Sequence, residues 1–279
     1  MRNNFVFTLL LTAVLFSACE EQMVIIPEFV DECSDKVILI EELTGVSCPN
    51  CPRGAAVLQE ILDLYPGKVV AYSVHGDFLA EPKSNSKFDF RSVQGKEIED
   101  FLRPWRGKPA ATVDRMPFPD LLETGFTNDN INEWLTMVEN RCRTPKTLDV
   151  QITSDYDETT RIANIAITTT GVIPTEQQLL LNVVITESHI IDVQDAGSDG
   201  IIEEYEHNHA MRAKLSQLRG DALTNQLDID QSITRNYTYT VPDDSNGEYI
   251  AENMEVVAYI TEGGQDKGPV VQAAQAHLD

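Results

Sequence analysis

The chain has 279 residues, with 45 acidic against 21 basic side chains and a formal charge of −24. That surplus excludes nucleic acid as a partner, because phosphates would be repelled, and excludes docking by charge on an anionic lipid surface. An apolar fraction of 42% leaves enough for real cores, and the length predicts one or two domains.

The N-terminus carries one early positive charge, an apolar run from Phe5 to Phe16 and a small-residue exit, Ser17-Ala18. This pattern predicts a signal peptide over 1–18, and the run is too short for a permanent membrane helix. A cysteine directly after Ser-Ala resembles a bacterial lipobox, although Phe16 stands where leucine is usual. That class lipidates its cysteine, so Cys19 is the expected lipid anchor and the membrane an expected partner; cleavage after Ala18 without a lipid is the alternative. Residues 19–35 lack periodicity and read as a tether. The mature chain is expected outside the cytoplasm, where disulfides persist.

Val37 to Leu43 is a short β-branched run and reads as a buried strand. From Pro49, apolar side chains at Ala55, Ala56, Leu58, Ile61, Leu62 and Tyr65 keep helical spacing, and Pro66-Gly67 stops them. Lys68 to His75 predicts a second strand, Glu97 to Trp105 a helix and Ala111 to Arg115 a short strand. Asp129 to Arg143 is an amphipathic helix with Ile131, Trp134, Leu135 and Val138 on one face. After Thr144-Pro145 the pattern changes to strands alone: 148–154, 162–170, 179–185, 232–241, 254–261 and 270–276. The expected organisation is therefore an α/β domain over 36–143, then an all-β immunoglobulin-like sandwich over 144–279. An acidic insertion at about 191–230 interrupts the sandwich.

Five cysteines are present. With Cys19 set aside, Cys33, Cys48, Cys51 and Cys142 remain, an even set that suggests pairing in an oxidising compartment. If Cys48 and Cys51 pair, Cys33 and Cys142 are left for each other as a structural disulfide. The Cys48-Pro49-Asn50-Cys51 stretch admits three roles: a redox dithiol, half of a metal site or a static staple. Zinc would need two further ligands and no second knuckle exists, so no metal and no cofactor are expected. The redox and static readings both stay open.

Strand, short loop, C-x-x-C and helix is the order found at the start of a thioredoxin-like fold. There Cys48 falls at the helix N-terminus, whose free N–H groups stabilise a thiolate, and Pro49 suits the first helical position. Cys48 is then the attacking sulfur and Cys51 the resolver. Glu42 lies where thioredoxins place a buried carboxylate beneath the disulfide, and Pro109 resembles their cis-proline. Ser47 in place of tryptophan, the Pro-Asn dipeptide and Pro52 are departures that leave the reduction potential open. The segments "EELTGVSCPNCPRG", "SVHGDF", "KPAATVDR", "YEHNHAMRA" and "VVAYITEGGQDKGPVVQAAQAHL" together resemble the Omp28-related outer-membrane lipoproteins of Bacteroidetes. The resemblance implies a thioredoxin-like N-terminal domain, a β-rich C-terminal domain and an outer-membrane lipid anchor, on the periplasmic face or the cell surface. It implies no particular activity.

His75 ends the second strand, either near the C-x-x-C or as a strand cap. His207-Asn208-His209 is read as a chance match to nuclease motifs, and Asp192, Asp195, Asp199, Glu203 and Glu204 as a solvated loop. Two functions are expected to compete. One is thiol–disulfide exchange on extracytoplasmic proteins or peptides through Cys48, Cys51, Glu42 and Pro109. The other is a non-enzymatic surface binding or adhesion lipoprotein with the thioredoxin-like part as scaffold.

Overall fold

The β-branched run before the dithiol forms β1 (Ile38–Thr44), a strand buried along its whole length. The computed structural model describes residues 33–118, 126–243, 246–265 and 267–279. The expected signal peptide, Cys19 and the tether up to residue 32 lie outside the described residues. Helix α1 (Cys51–Leu64) links β1 to β2 (Val69–His75), which pairs with β1 in parallel from Ile38–Val69 to Thr44–His75. β3 (Ala110–Val113) is antiparallel on the other edge of β1. Two further helices complete this half, α2 (Val93–Phe101) and α3 (Asn132–Cys142).

Successive side chains of a strand point to opposite faces, so an uninterrupted apolar strand needs cover on both. Leu58 and Ile61 of α1 join Trp134, Met137 and Val138 of α3 over Ile38, Ile40, Val69 and Ala71. Ile98 and Phe101 of α2 pack on the opposite face, against Leu39, Leu43, Val70, Tyr72 and Val74. Each such side chain contributes roughly 1.5–3 kcal/mol when fully buried. Cys33 and Cys142 are disulfide-bonded, with Cα atoms 4.7 Å apart, joining the start of this half to the end of α3.

Two helix boundaries differ from the sequence reading. α2 starts four residues before Glu97, because the Ser92 hydroxyl accepts a hydrogen bond from Gly95 N at 2.9 Å and caps it. It ends before Pro104, which cannot continue a helix. α1 begins at Cys51 rather than Pro49, since Cys48 N bonds Gly45 O at 3.0 Å and Cys51 N bonds Cys48 O at 3.2 Å. These bonds form turns ahead of the helix and leave Pro52 in its first turn.

Among the described residues ten strands make up the second half, the first nine being β4 (Leu148–Asp157), β5 (Ile162–Gly171), β6 (Leu179–Glu187), β7 (Ile190–Asp195), β8 (Ile201–His207), β9 (Ala210–Lys214), β10 (Asp221–Thr224), β11 (Ser232–Thr240) and β12 (Met254–Glu262). β13 (Val270–His277) closes the chain as the edge strand beside β12. β4, β5 and β11 form a three-stranded antiparallel sheet. Apart from β7 and β8, the remaining strands do not form a sheet of their own. They extend the first half's sheet in the order β13-β12-β6-β9-β2-β1-β3, with β10 also on β6. The change of pattern at residues 143 and 144 therefore does not separate two sheets, and all described residues belong to one compact unit.

The seam between the halves is narrow. β9 meets β2 in parallel at one registered pair, Ser73 with Ala210, and Ser73 N donates to His209 O at 2.7 Å. The far edges of the sheet also approach each other: Val270 N donates to Asp114 O, and Val37 N to Gln272 Oε1, both at 2.8 Å. On the outer face, Ile165 and Ile167 of β5 pack against Leu181, Val183, Val256 and Ala258. The segment read as an acidic solvated insertion carries β7 to β10. β7 and β8 form a separate two-stranded hairpin. Its acidic residues are bound rather than solvated where they matter: the buried Asp192 carboxylate accepts from Lys87 N and Phe88 N, each at 2.9 Å. Among the described residues no helix is long and apolar enough to cross a membrane.

Candidate functional site

The C-terminal end of β1 delivers the chain into the Gly45 turn, and the next turn carries Cys48 to Cys51 at the start of α1. The two cysteines are disulfide-bonded with Cα atoms 5.4 Å apart. Both are buried, Cys48 at 0% and Cys51 at 2% exposure.

Beneath them lies Glu42, projecting from the α1 side of β1. One carboxylate oxygen accepts from the Ser73 hydroxyl at 2.6 Å, and the other, Oε1, has no hydrogen-bond partner. Burial pushes this carboxyl up to about 7, against the weaker pull of Ser73 and Lys108. A protonated and an ionised Glu42 therefore coexist near neutral pH, which is what a proton acceptor for a buried thiol needs.

Pro109 reaches the same place from β3, after a cis Lys108–Pro109 peptide bond. A methyl group on Gly54 would sit 2.6 Å from Pro109 Cβ and 3.3 Å from Glu42 Oε1, so α1 approaches both residues at a position only glycine fills. Lys108 is buried, with Nζ donating to Thr44 O and to Glu99 Oε2, both at 2.8 Å. Glu99 also accepts from Asp77 N at 3.0 Å and Phe78 N at 3.2 Å, which ties α2 to the loop after β2. The structure thus brings Glu42, Cys48, Cys51 and Pro109 together; Cys33 and Cys142 sit apart, at the far end of α3.

Three further side chains approach the dithiol that the sequence did not single out for this site. Gln194 Nε2 of β7 donates to Cys48 O at 3.0 Å and Gly45 O at 3.2 Å. Tyr205 and His207 of β8 line, with Glu42, Cys51 and His75, a cavity of about 30 Å³. His75 stacks on Phe90, and its ring nitrogens have no partner; burial, the nearby His207 and cationic neighbours hold it neutral. Burial lowers His207 to about 4, against the pull of Val193 O and Asp192, and its Nε2 lies 3.2 Å from Val193 O. Burial raises the Tyr205 hydroxyl to about 12. The site is therefore buried, lined by neutral imidazoles and a phenol, and holds one carboxyl raised to about 7.

The sequence profile of the outer membrane protein Omp28 family matches residues 104–279. The chain belongs to the Omp28 family. Membership places this chain among outer membrane proteins. The resemblance read from the five sequence motifs is borne out. The dithiol itself lies ahead of the matched stretch. A search of the curated proteins finds no match. Among solved structures, HBP35 of Porphyromonas gingivalis is 19% identical with a TM-score of 0.63, covering 88% of this chain and 76% of its own. A protein from Agrobacterium tumefaciens is 13% identical with a TM-score of 0.52, covering 89% of this chain and 96% of its own. A domain of the outer membrane lipoprotein Omp28 from P. gingivalis is 13% identical over 48% of this chain and 89% of its own, with a TM-score of 0.33. The first two likenesses show a common fold: a mixed α/β sheet with smaller antiparallel sheets.

The other histidines of this Omp28-family chain go elsewhere. His209 faces an open cleft with His189, His277 and Glu255, away from His207. His189 pairs with Glu206 at 2.5 Å on the surface. Among the described residues no group of three or more His, Cys, Asp and Glu side chains is arranged to hold a metal ion.

Proposed function

We propose that this lipoprotein carries a thioredoxin-like first half, over 36–143, whose Cys48–Cys51 pair exchanges disulfides with extracytoplasmic proteins or peptides. Lipidation of Cys19 holds it in the membrane. The observation that carries the reading is the unpartnered Glu42 oxygen beneath the dithiol, in a carboxyl raised to about 7. In the reduced chain, the Cys48 thiolate attacks a substrate disulfide, forming a mixed disulfide and releasing one substrate thiolate. Glu42 takes the proton of Cys51, whose thiolate then attacks Cys48 Sγ, restores the Cys48–Cys51 bond and frees the second substrate thiol. The reverse sequence oxidises a substrate dithiol. The fold likeness to HBP35, the cis Lys108–Pro109 bond and its contact with Gly54 support the thioredoxin-like assignment. The three-stranded sheet facing β6 and β12 across one core supports a sandwich-like second half.

An insulin-reduction assay with dithiothreitol as donor tests turnover. Cys48→Ser is expected to abolish the acceleration over dithiothreitol alone, and an unchanged rate rejects the reading. Burial of both cysteines favours a second reading, a static disulfide in a surface binding or adhesion protein. A reduction potential below about −300 mV together with an inert bridge supports that alternative.

A further inference from the structure

Cys48 and Cys51 are 0% and 2% exposed, so no thiol of any size reaches either sulfur in this state. Part of the cover comes from the second half of the chain, where Gln194, Tyr205 and His207 line the cavity at Cys51. The β7–β8 hairpin shares no ladder with the eight-stranded sheet. It is tied to the dithiol turn by few groups. Gln194 bonds Gly45 O and Cys48 O, Asp195 N donates to Val46 O at 2.9 Å, and Asp195 pairs with Lys83 at 2.5 Å. At the hairpin tip, a methyl group on Gly197 would stand 3.1 Å from Pro49 Cβ.

The base of the hairpin is built differently. His189 and His209 flank it, both with positive φ, 61° and 56°. His189 N donates to Asn208 Oδ1 at 2.9 Å and His209 N to Ser188 Oγ at 3.0 Å, which locks the base to β6 and β9. Ile190 and Val193, nearer the base, pack with Val46, Phe88 and Phe90, Asn85 Nδ2 donates to Glu203 at 2.7 Å, and residues 197–204 at the tip are exposed. A fixed base with an exposed tip is the build expected of an element that opens locally while the core stays closed.

We propose that the β7–β8 hairpin is a cover that lifts from the Cys48–Cys51 disulfide to admit a thiol, with Gln194 as its latch. The proposal deepens the disulfide-exchange reading and rests on it for its purpose. The loop at residues 83–88 moves with the cover, since Asp192 holds the Lys87 and Phe88 amides.

The test is the rate at which dithiothreitol reduces Cys48–Cys51 in the full chain. Two electrons and two protons pass to the cysteines while dithiothreitol closes to its cyclic disulfide. The released thiols are trapped with iodoacetamide and counted by mass. Gln194→Ala removes the latch and is expected to raise the rate about tenfold with the equilibrium constant unchanged. Lys83→Gln, which removes only the ion pair at a partly exposed site, is expected to raise it by a smaller factor and carries the test if the first variant does not fold. Amide exchange at Asp195 is expected to quicken in step. Equal rates in the wild type and both variants overturn the proposal, and so does a rate gain matched by an equal shift in the equilibrium constant. Failure of the disulfide-exchange reading registers separately, as absent insulin turnover in the wild type while the rate ratio still reports on the cover.

Discussion

Glu41 and Glu42 are neighbours on one buried strand and face opposite sides of it. Glu41 is saturated. Its oxygens take Arg115 Nε and Nη2, each at 2.7 Å, Thr112 Oγ1 at 2.9 Å and Tyr72 OH at 2.5 Å. Burial raises it, but Arg115, Tyr72 and Thr112 outweigh burial and hold it below the ordinary carboxylate range. Glu42 has one serine hydroxyl, a free oxygen and a raised value. Two carboxylates of equal burial thus differ in how completely they are paired. The paired one joins strands, through Tyr259 OH as far as β12. The half-paired one faces the dithiol. A buried group that the fold leaves unsatisfied marks where chemistry is located better than burial or residue type does.

The same substitution at both positions breaks the comparison most sharply. Glu41→Gln strands the buried Arg115 guanidinium and is expected to cost ~3–5 kcal/mol. Urea unfolding measures it, and a loss under ~1 kcal/mol contradicts the structural role given to that network. Glu42→Gln is expected to act the other way. In the folded chain Glu42 keeps its proton up to about 7, whereas the unfolded chain releases it near 4.5. The native state therefore loses stability as pH rises through that window and carries the whole deficit above it. The glutamine variant is expected to gain on the order of 3 kcal/mol above pH 7 and nothing below 4.5, which flattens the stability profile. A profile parallel to wild type removes Glu42 as a titrating group. The smallest effect belongs to Tyr259→Phe. It deletes the hydroxyl that lies 3.1 Å from Tyr72 OH and 3.0 Å from Arg115 Nη2, at a cost of ~1 kcal/mol in the same unfolding experiment.

Much of the first half was legible because its signals are local. The run before the dithiol, the 3.6-residue spacing of Leu58 and Ile61 and the Pro66-Gly67 stop each act within a few residues, and each matches an element. The hairpin was not legible. Asp192 reads as a solvated acid until the Lys87 and Phe88 amides, distant in sequence, come to meet it. Gln194 carries no motif, and its place at the site comes from two carbonyls on another segment, Gly45 O and Cys48 O. β2 is buried along its whole length, paired with β1 on one edge and β9 on the other. What covers the second edge, β9, lies far along the chain, and sequence periodicity holds no information about strand partners.

That seam between β2 and β9 has a consequence for how the protein is made. Synthesis delivers the N-terminus first, so the dithiol half emerges while the strand that will guard the flank of β2 is still to be made. A flat apolar flank with idle amides and carbonyls invites pairing with any neighbouring chain. Protection of that flank therefore waits on the tail, and the interval between the two events is when the half-made chain is most exposed to wrong pairing.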